Sequence, residues 1–219
     1  MLKNIFPIYK PKGPTSHDIV DQVRRVTGVK KVGHAGTLDP LAEGVLVVAV
    51  GREATKQISS IVKTEKEYIA EIKLGETSTT DDEEGEKNET PNSKIQIPKE
   101  TIVEALKGFV GEIEQIPPIY SAIKVKGKSA YKYARKGEDL KLEPRNVLIK
   151  EIQVLKYEWP ILELRVVSGS GVYIRSLARD VGEKLGVGGY LASLKRTRVG
   201  EYKIEDSINP NQVVVQLSV

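Results

Sequence analysis

Six consecutive apolar residues, Val45-Leu46-Val47-Val48-Ala49-Val50, run without polar alternation up to Gly51. A valine-rich run of that kind predicts a strand covered on both faces. The stretch before it, residues 33–44, reads Gly-His-Ala-Gly-Thr-Leu-Asp-Pro-Leu-Ala-Glu-Gly. Its three glycines and one proline give it little helix or strand propensity, so a loop is expected, anchored in the core by the strand it feeds. Pro40 biases Asp39 toward extended backbone. Local chemistry leaves two readings of Asp39 open: a tight turn in which its carboxylate bonds its own backbone, or a carboxylate held out for function.

Elsewhere the apolar spacing alternates between helical and strand periods. After the rigid turn Pro11-Lys12-Gly13-Pro14, Thr15 and Asp18 form a capping-box pair. They open an amphipathic helix with Ile19, Val20, Val23 and Val26 on its apolar face and Gly28 at its end. Ala54, Ile58, Ile61 and Val62 predict a second short helix, and Tyr68, Ala70, Ile72 and Leu74 alternate as one side of a half-buried strand. The acidic segment 79–89 has no apolar period and is expected to be a mobile loop. Pro98 starts a third helix with Ile102, Val103, Leu106 and Phe109 inward, closed by Gly108 or Gly111.

Pro117-Pro118 blocks any helix across it. Beyond it the pattern reads as strand from Ile119, a Lys-Gly-Lys turn, a short basic helix over 130–136 and strands near 147–157 and 161–167. A Ser-Gly-Ser-Gly turn then leads into a helix over 172–185, followed by final strands near 191–199. Strands outnumber helices and adjoin in runs, so the expected class is α+β with a mixed, largely antiparallel sheet. No phosphate loop of the Gly-x-x-x-x-Gly-Lys-Ser/Thr kind and no dinucleotide fingerprint occurs, which disfavours nucleotide-cofactor chemistry.

Composition narrows the chemistry. At 219 residues the chain can bury a core without staples, and it has no cysteine for disulfides, thiolate metal sites or a thiol nucleophile. His17 and His34 cannot alone make a usual zinc site, so neither a metal nor a cofactor is expected. No basic-plus-apolar leader precedes Tyr9 and no run of about eighteen apolar residues occurs, so the expectation is a soluble cytoplasmic protein without membrane contact. The net charge of +4 is unevenly spread. Residues 124–150 carry a net +6 close to Tyr120, Tyr131 and Tyr133, combining cations with stacking surfaces as single-stranded RNA recognition requires. Residues 76–90 carry a net −6 and read as solvated surface.

Several stretches in order point to one family. The motif over 33–44 is joined by Lys10-Pro11-Lys12-Gly13-Pro14-Thr15-Ser16, Ala54-Thr55-Lys56 and Glu67-Tyr68-Ile69-Ala70. Gln115-Ile116-Pro117-Pro118-Ile119-Tyr120-Ser121-Ala122 and Gly171-Val172-Tyr173-Ile174-Arg175-Ser176-Leu177 follow. Together they resemble the TruB and dyskerin family of RNA pseudouridine synthases, over roughly residues 5–203. The resemblance decides between the two readings of Asp39: it implies that Asp39 is the nucleophile that attacks the target uridine, so that the uracil detaches, rotates and rejoins through carbon.

Arg175 matches the family arginine that pairs with this aspartate. A guanidinium that close should lower a carboxylate's pKa by about one to three units, with roughly 4 kcal/mol of Coulomb attraction before desolvation is subtracted. By the same resemblance Tyr68 stacks on the uracil and is a candidate for proton transfer. His34 contacts the RNA near the vacated position, Tyr173 and Leu194 line the pocket, and Lys56 lies near the site. The implied activity is isomerisation of uridine 55 in the T-loop of tRNA by a monomer, with the T-arm as partner. The expected organisation is a catalytic domain over 1–205 and a short tail over 206–219, without the family's small C-terminal RNA-binding (PUA-like) domain.

Three rivals stand beside that reading. The first is a guide-dependent, dyskerin-like synthase acting on ribosomal RNA, which ranks lower because the chain lacks the terminal segments through which such enzymes dock partners. The second is a non-catalytic tRNA-binding or folding module, against which the intact Asp39, Tyr68 and Arg175 argue. The third, an aspartyl-phosphate hydrolase, would need a second carboxylate two residues after the nucleophile, where Leu41 stands.

Overall fold

The computed structural model describes residues 4–213 apart from 126, 135 and 139. In chain order the elements begin with β1 (Ile5–Lys10), α1 (Ser16–Thr27), β2 (Val32–Ala35), β3 (Glu43–Val50), α2 (Arg52–Lys56), α3 (Ile58–Val62) and β4 (Lys66–Leu74). They continue with β5 (Glu76–Ser78), β6 (Lys87–Glu89), α4 (Lys99–Lys107), β7 (Gly111–Gln115), β8 (Lys124–Val125), β9 (Lys128–Ser129) and α5 (Ala130–Ala134). The remainder is β10 (Arg145–Glu158), β11 (Ile161–Ser168), α6 (Ile174–Lys184), β12 (Gly189–Val199) and β13 (Tyr202–Lys203). This is the mixed, largely antiparallel α+β class that the periodicity predicts. Among the described residues no helix is long and apolar enough to cross a membrane.

The chain forms two compact units. The first holds the residues up to Ile69, Val167–Ser170 and those from Leu194 on; the second holds Ala70–Val166 and Gly171–Ser193.

In the first unit β3 is the central strand. It pairs antiparallel with β1 from Ile5↔Ala49 to Lys10↔Gly44 along one edge. Its other edge is divided, with β12 joining in parallel at Glu43 and Gly44 and β2 joining antiparallel from Val32↔Val50 to Ala35↔Val47. Period-2 alternation sends Leu46, Val48 and Val50 into one cluster with Ile19, Val20 and Val23 of α1. Val45, Val47 and Ala49 enter a second cluster with Ala54, Ile61, Val199 and Tyr202. The strand is thus covered on both faces, and each of its buried valine and leucine side chains contributes roughly 1.5–3 kcal/mol. Helix α1 is built as its sequence dictates: Thr15 caps it in a complete capping box with Asp18, and Gly28 ends it in the left-handed conformation.

In the second unit the strand order is β4-β11-β10-β7, with β10 and β7 antiparallel from Arg145↔Gln115 to Ile149↔Gly111. Helix α4 starts at Pro98 and stops at Gly108, burying Ile102 and Leu106 while Val103 stays 41% exposed. Helix α6 buries Ile174, Leu177, Ala178 and Val181 at helical spacing.

Four expectations need correction. The strand expected from Ile119 is confined to β8, Lys124–Val125, with 119–123 in irregular backbone after the two prolines. Residues 33–35 form strand, because the free edge of β3 offers their backbone a ladder that local propensity does not anticipate. The helix expected over 54–62 is two five-residue turns separated at Gln57, whose N–H bonds back to the Ala54 carbonyl at 3.0 Å and closes the first turn. The acidic segment is ordered: β5 and β6 pair as a hairpin, and Asp82 between them is only 3% exposed. The first residue of the expected Lys-Gly-Lys turn, Lys126, lies outside the described residues, as do Arg135 of the expected basic helix, Asp139 in the basic block and 214–219 in the expected tail.

Candidate active site

Asp39 stands half-buried on the loop between β2 and β3, with Leu38 and Leu41 beside it 2% and 4% exposed. The loop turns at Asp39, whose carbonyl accepts from Ala42 N–H at 3.1 Å. Three side chains and one amide bond its backbone on either side of Asp39. Ser16, in the first turn of α1, donates from Oγ to the Leu38 carbonyl and accepts from Leu38 N–H, both at 2.8 Å. Lys10, at the end of β1, donates from Nζ to the carbonyls of Ala42 at 2.7 Å and Pro40 at 3.5 Å. Gly13 N–H reaches the same Pro40 carbonyl at 2.8 Å. Arg196, on β12, donates to Gly36 O at 3.1 Å, Thr37 O at 3.3 Å and Val45 O at 2.8 Å. Lys10 and Arg196 are both essentially without solvent exposure. Burial pushes the Lys10 ammonium down to about 8, against the opposing pull of the nearby Asp39 charge.

Gly44 makes that packing possible. Its φ is +112°, and a Cβ there would lie 2.2 Å from the Arg196 carbonyl oxygen, a backbone atom that cannot step aside. Gly51 also has positive φ, +91°, but open space around it. Gly44→Ala is therefore expected to destabilise the protein by about 4 kcal/mol or more, and Gly51→Ala by about 1–2 kcal/mol from backbone strain alone. Urea unfolding of the two variants side by side checks this, and equal midpoints would contradict it.

The other sequence-indicated residues of this unit fall around the same sheet. His34 lies on β2, two residues before Gly36, and burial followed by the neighbouring Arg196 charge holds its imidazole below the usual range. Tyr68 on β4 is 8% exposed and Leu194 on β12 is 8% exposed. Lys56 stands apart from them in its bonding: its ammonium is on the surface of α2, 2.7 Å from Glu53 in an exposed i,i+3 pair.

In the second unit Arg175 opens α6 and is 6% exposed. Its guanidinium donates to Tyr120 O at 2.9 Å and Thr80 O at 3.4 Å, and Nη1 lies 3.5 Å from Asp82 Oδ2. Asp82 is itself oriented by the Thr80 hydroxyl and by Glu84 N–H at 3.0 Å. One turn on, Arg179 donates to Asp81 at 2.9 Å, Asp180 at 2.9 Å and Ile116 O at 2.9 Å. Burial raises the pKa of both Asp81 and Asp180, partly offset by the Arg179 charge. Tyr173 exchanges two backbone bonds with the Gln115 amide, at 2.8 and 3.1 Å. The first two turns of α6 therefore grip both the acidic hairpin and residues 115–120 at the root of the basic segment.

Sequence reasoning reached the catalytic candidates but missed what holds them. Lys10 and Ser16 lay inside a recognised motif without a role, and a serine in the first turn of a helix ordinarily reads as part of a cap. Arg196 had a visible signal, a basic residue taking an inward position of a strand, in register with the buried Leu194. Asp82 had none, since a run of acids reads as surface.

An α+β fold of this kind, with a mixed, largely antiparallel sheet, is shared with solved pseudouridine synthase structures. The family model described as TruB family pseudouridylate synthase (N terminal domain) matches residues 24–174, and that of the tRNA pseudouridylate synthase B C-terminal domain matches 175–217. The chain belongs to the TruB family of pseudouridylate synthases. Among curated proteins it is similar to tRNA pseudouridine synthase B of Parabacteroides distasonis, 47% identical over 210 residues that cover 93% of this chain and 88% of that protein. The protein of the same name from Leifsonia xyli is 48% identical over 203 residues, covering 90% of this chain and 67% of its own length. Among solved structures, a Cbf5-Nop10-Gar1 complex contains a chain with TM-score 0.74 and 32% identity, covering 96% of this chain and 53% of that one. This chain thus spans about half the length of that neighbour.

Proposed function

We propose that this protein is a tRNA pseudouridine synthase that isomerises uridine 55 in the T-loop, working as a cytoplasmic monomer on the T-arm. The observation that carries the reading is 47% identity across 88% of a curated tRNA pseudouridine synthase B. It outweighs the guide-dependent alternative, for which likeness falls to 32% identity over 53% of the Cbf5-complex chain.

The chemistry suits the residues. The C1′–N1 bond breaks, the uracil turns, C5 bonds to C1′, and the proton lost from C5 is balanced by one gained at N1. No electron or atom is exchanged with a cofactor. Asp39 is the nucleophile and must be ionised to attack; Arg175 is its orienting counter-ion. A uridine within a folded RNA hides its glycosidic bond, so the nucleotide is extruded at a cost of a few kcal/mol. Stacking on Tyr68 returns roughly 1–3 kcal/mol of that. His34 contacts the RNA where the base departs, and Tyr173 and Leu194 line the pocket, with Lys56 at its margin. The basic segment 124–150 supplies phosphate contacts, each adding a salt dependence with a slope of about −0.7 on single strands.

A T-arm stem-loop tests the substrate assignment. The stem-loop carrying the T-loop uridine is expected to be modified at that position alone, with kcat/KM falling steeply as salt rises. The same stem-loop with cytidine there should yield no product. Equal product at other uridines would overturn the T-loop reading.

A further inference from the structure

We infer that Ser16 and Arg196 are positioning residues for the nucleophile, fixing the backbone on either side of Asp39. The inference rests on the reading of Asp39 as nucleophile. Its basis is where the bonds of these two buried side chains go. Arg196 takes an inward position of β12 that a hydrophobic residue could fill, and it is 2% exposed. A guanidinium buried in this way is costly unless its N–H groups are used. Its hydrogen bonds go to the carbonyls of Gly36, Thr37 and Val45, which bracket the loop at its departure from β2 and its entry into β3. Apolar replacement would leave those three carbonyls without their donor.

Ser16 acts at closer range. Its hydroxyl bonds both the N–H and the C=O of Leu38, the residue before Asp39, at 2.8 Å each. Two bonds from one atom to one residue fix that residue's orientation as well as its position, and the peptide leading into Asp39 turns with it. Ser16 is itself 3% exposed and is carried by α1, whose apolar stripe is locked into the core. The carboxylate thus stands on a backbone tied to a rigid helix and a rigid strand. A catalytic group displaced by about 1 Å loses on the order of a hundredfold in rate, so loosening either tie should appear in the chemical step. Neither side chain needs to touch RNA for this.

The test is single-turnover conversion of a tRNA transcript at saturating enzyme, with tRNA affinity and thermal unfolding measured on the same preparations. Ser16→Ala removes one oxygen and is expected to slow the single-turnover rate about 10–100-fold while leaving tRNA affinity within about threefold. Ser16→Thr, which keeps the hydroxyl, should recover most of that loss. Arg196→Lys keeps the charge but cannot span three carbonyls, and it should slow the same step by at least about tenfold. A folded Ser16→Ala that reacts at the wild-type rate overturns the inference, as does a loss confined to tRNA affinity. Asp39→Asn run in parallel separates the two levels. If it is inactive while Ser16→Ala is normal, only the positioning role fails; if Asp39→Asn turns over normally, the reading of the site fails first.

Discussion

Asp39→Asn is expected to lose at least about 10⁴-fold in the rate of pseudouridine formation, roughly 5.4 kcal/mol of transition-state stabilisation. An amide has the shape of the carboxylate but cannot form the covalent bond to the nucleotide that the proposed mechanism needs. The backbone here is set by contacts that the substitution does not touch, since Ser16, Lys10 and Arg196 all bond main-chain atoms. The fold should therefore be kept, with a modest loss of stability from removing the charge that faces the buried Lys10, and tRNA affinity should stay within about threefold. Single-turnover kinetics with a transcript, together with a binding titration, distinguish a lost nucleophile from a lost substrate. An asparagine variant with near wild-type turnover would remove Asp39 from the chemistry.

The second large effect is expected at Arg175. Its guanidinium is used in several directions at once, toward Tyr120 O, Thr80 O and Asp82. Lysine in its place keeps the charge but presents one compact ammonium in place of a planar fork. The buried Asp82 then loses its geometry, and at least one of the two carbonyls loses its donor. Breaking such a buried arrangement costs about 3–5 kcal/mol, which should appear in the stability of the second unit and, if Arg175 is the counter-ion proposed above for Asp39, in the chemical step. Arg175→Lys should accordingly slow the single-turnover rate about 10²–10³-fold and lower the unfolding midpoint. Asp82→Asn should follow it in direction but less far, because Arg175 keeps its two carbonyl partners. A rate unchanged in Arg175→Lys would place this arginine outside the chemistry.

The legible parts of this fold were those in which local sequence and tertiary packing agree. Thr15, Asp18 and Gly28 specify the ends of α1 by capping chemistry that works within one turn. The valine run of β3 specifies double-sided burial because nothing in it suits water. Tyr68, Ala70, Ile72 and Leu74 are all buried, as their period requires. What could not be read depends on partners distant in sequence. His34 is in a strand because Val48 is opposite it, and Asp82 is buried because α6, more than ninety residues later, brings Arg175 to it. The Asp39 motif was legible as a pattern; the reason it holds one shape, a lysine, a serine and an arginine from three separate elements, was not.

The most direct measurement is to incubate the purified protein with an unmodified tRNA transcript, with no nucleotide or metal added, and to map pseudouridine along the product. Conversion of the T-loop uridine at position 55, complete with the wild type and absent with Asp39→Asn, is the expected result. No pseudouridine in the wild-type reaction, or pseudouridine only at other positions, would contradict it.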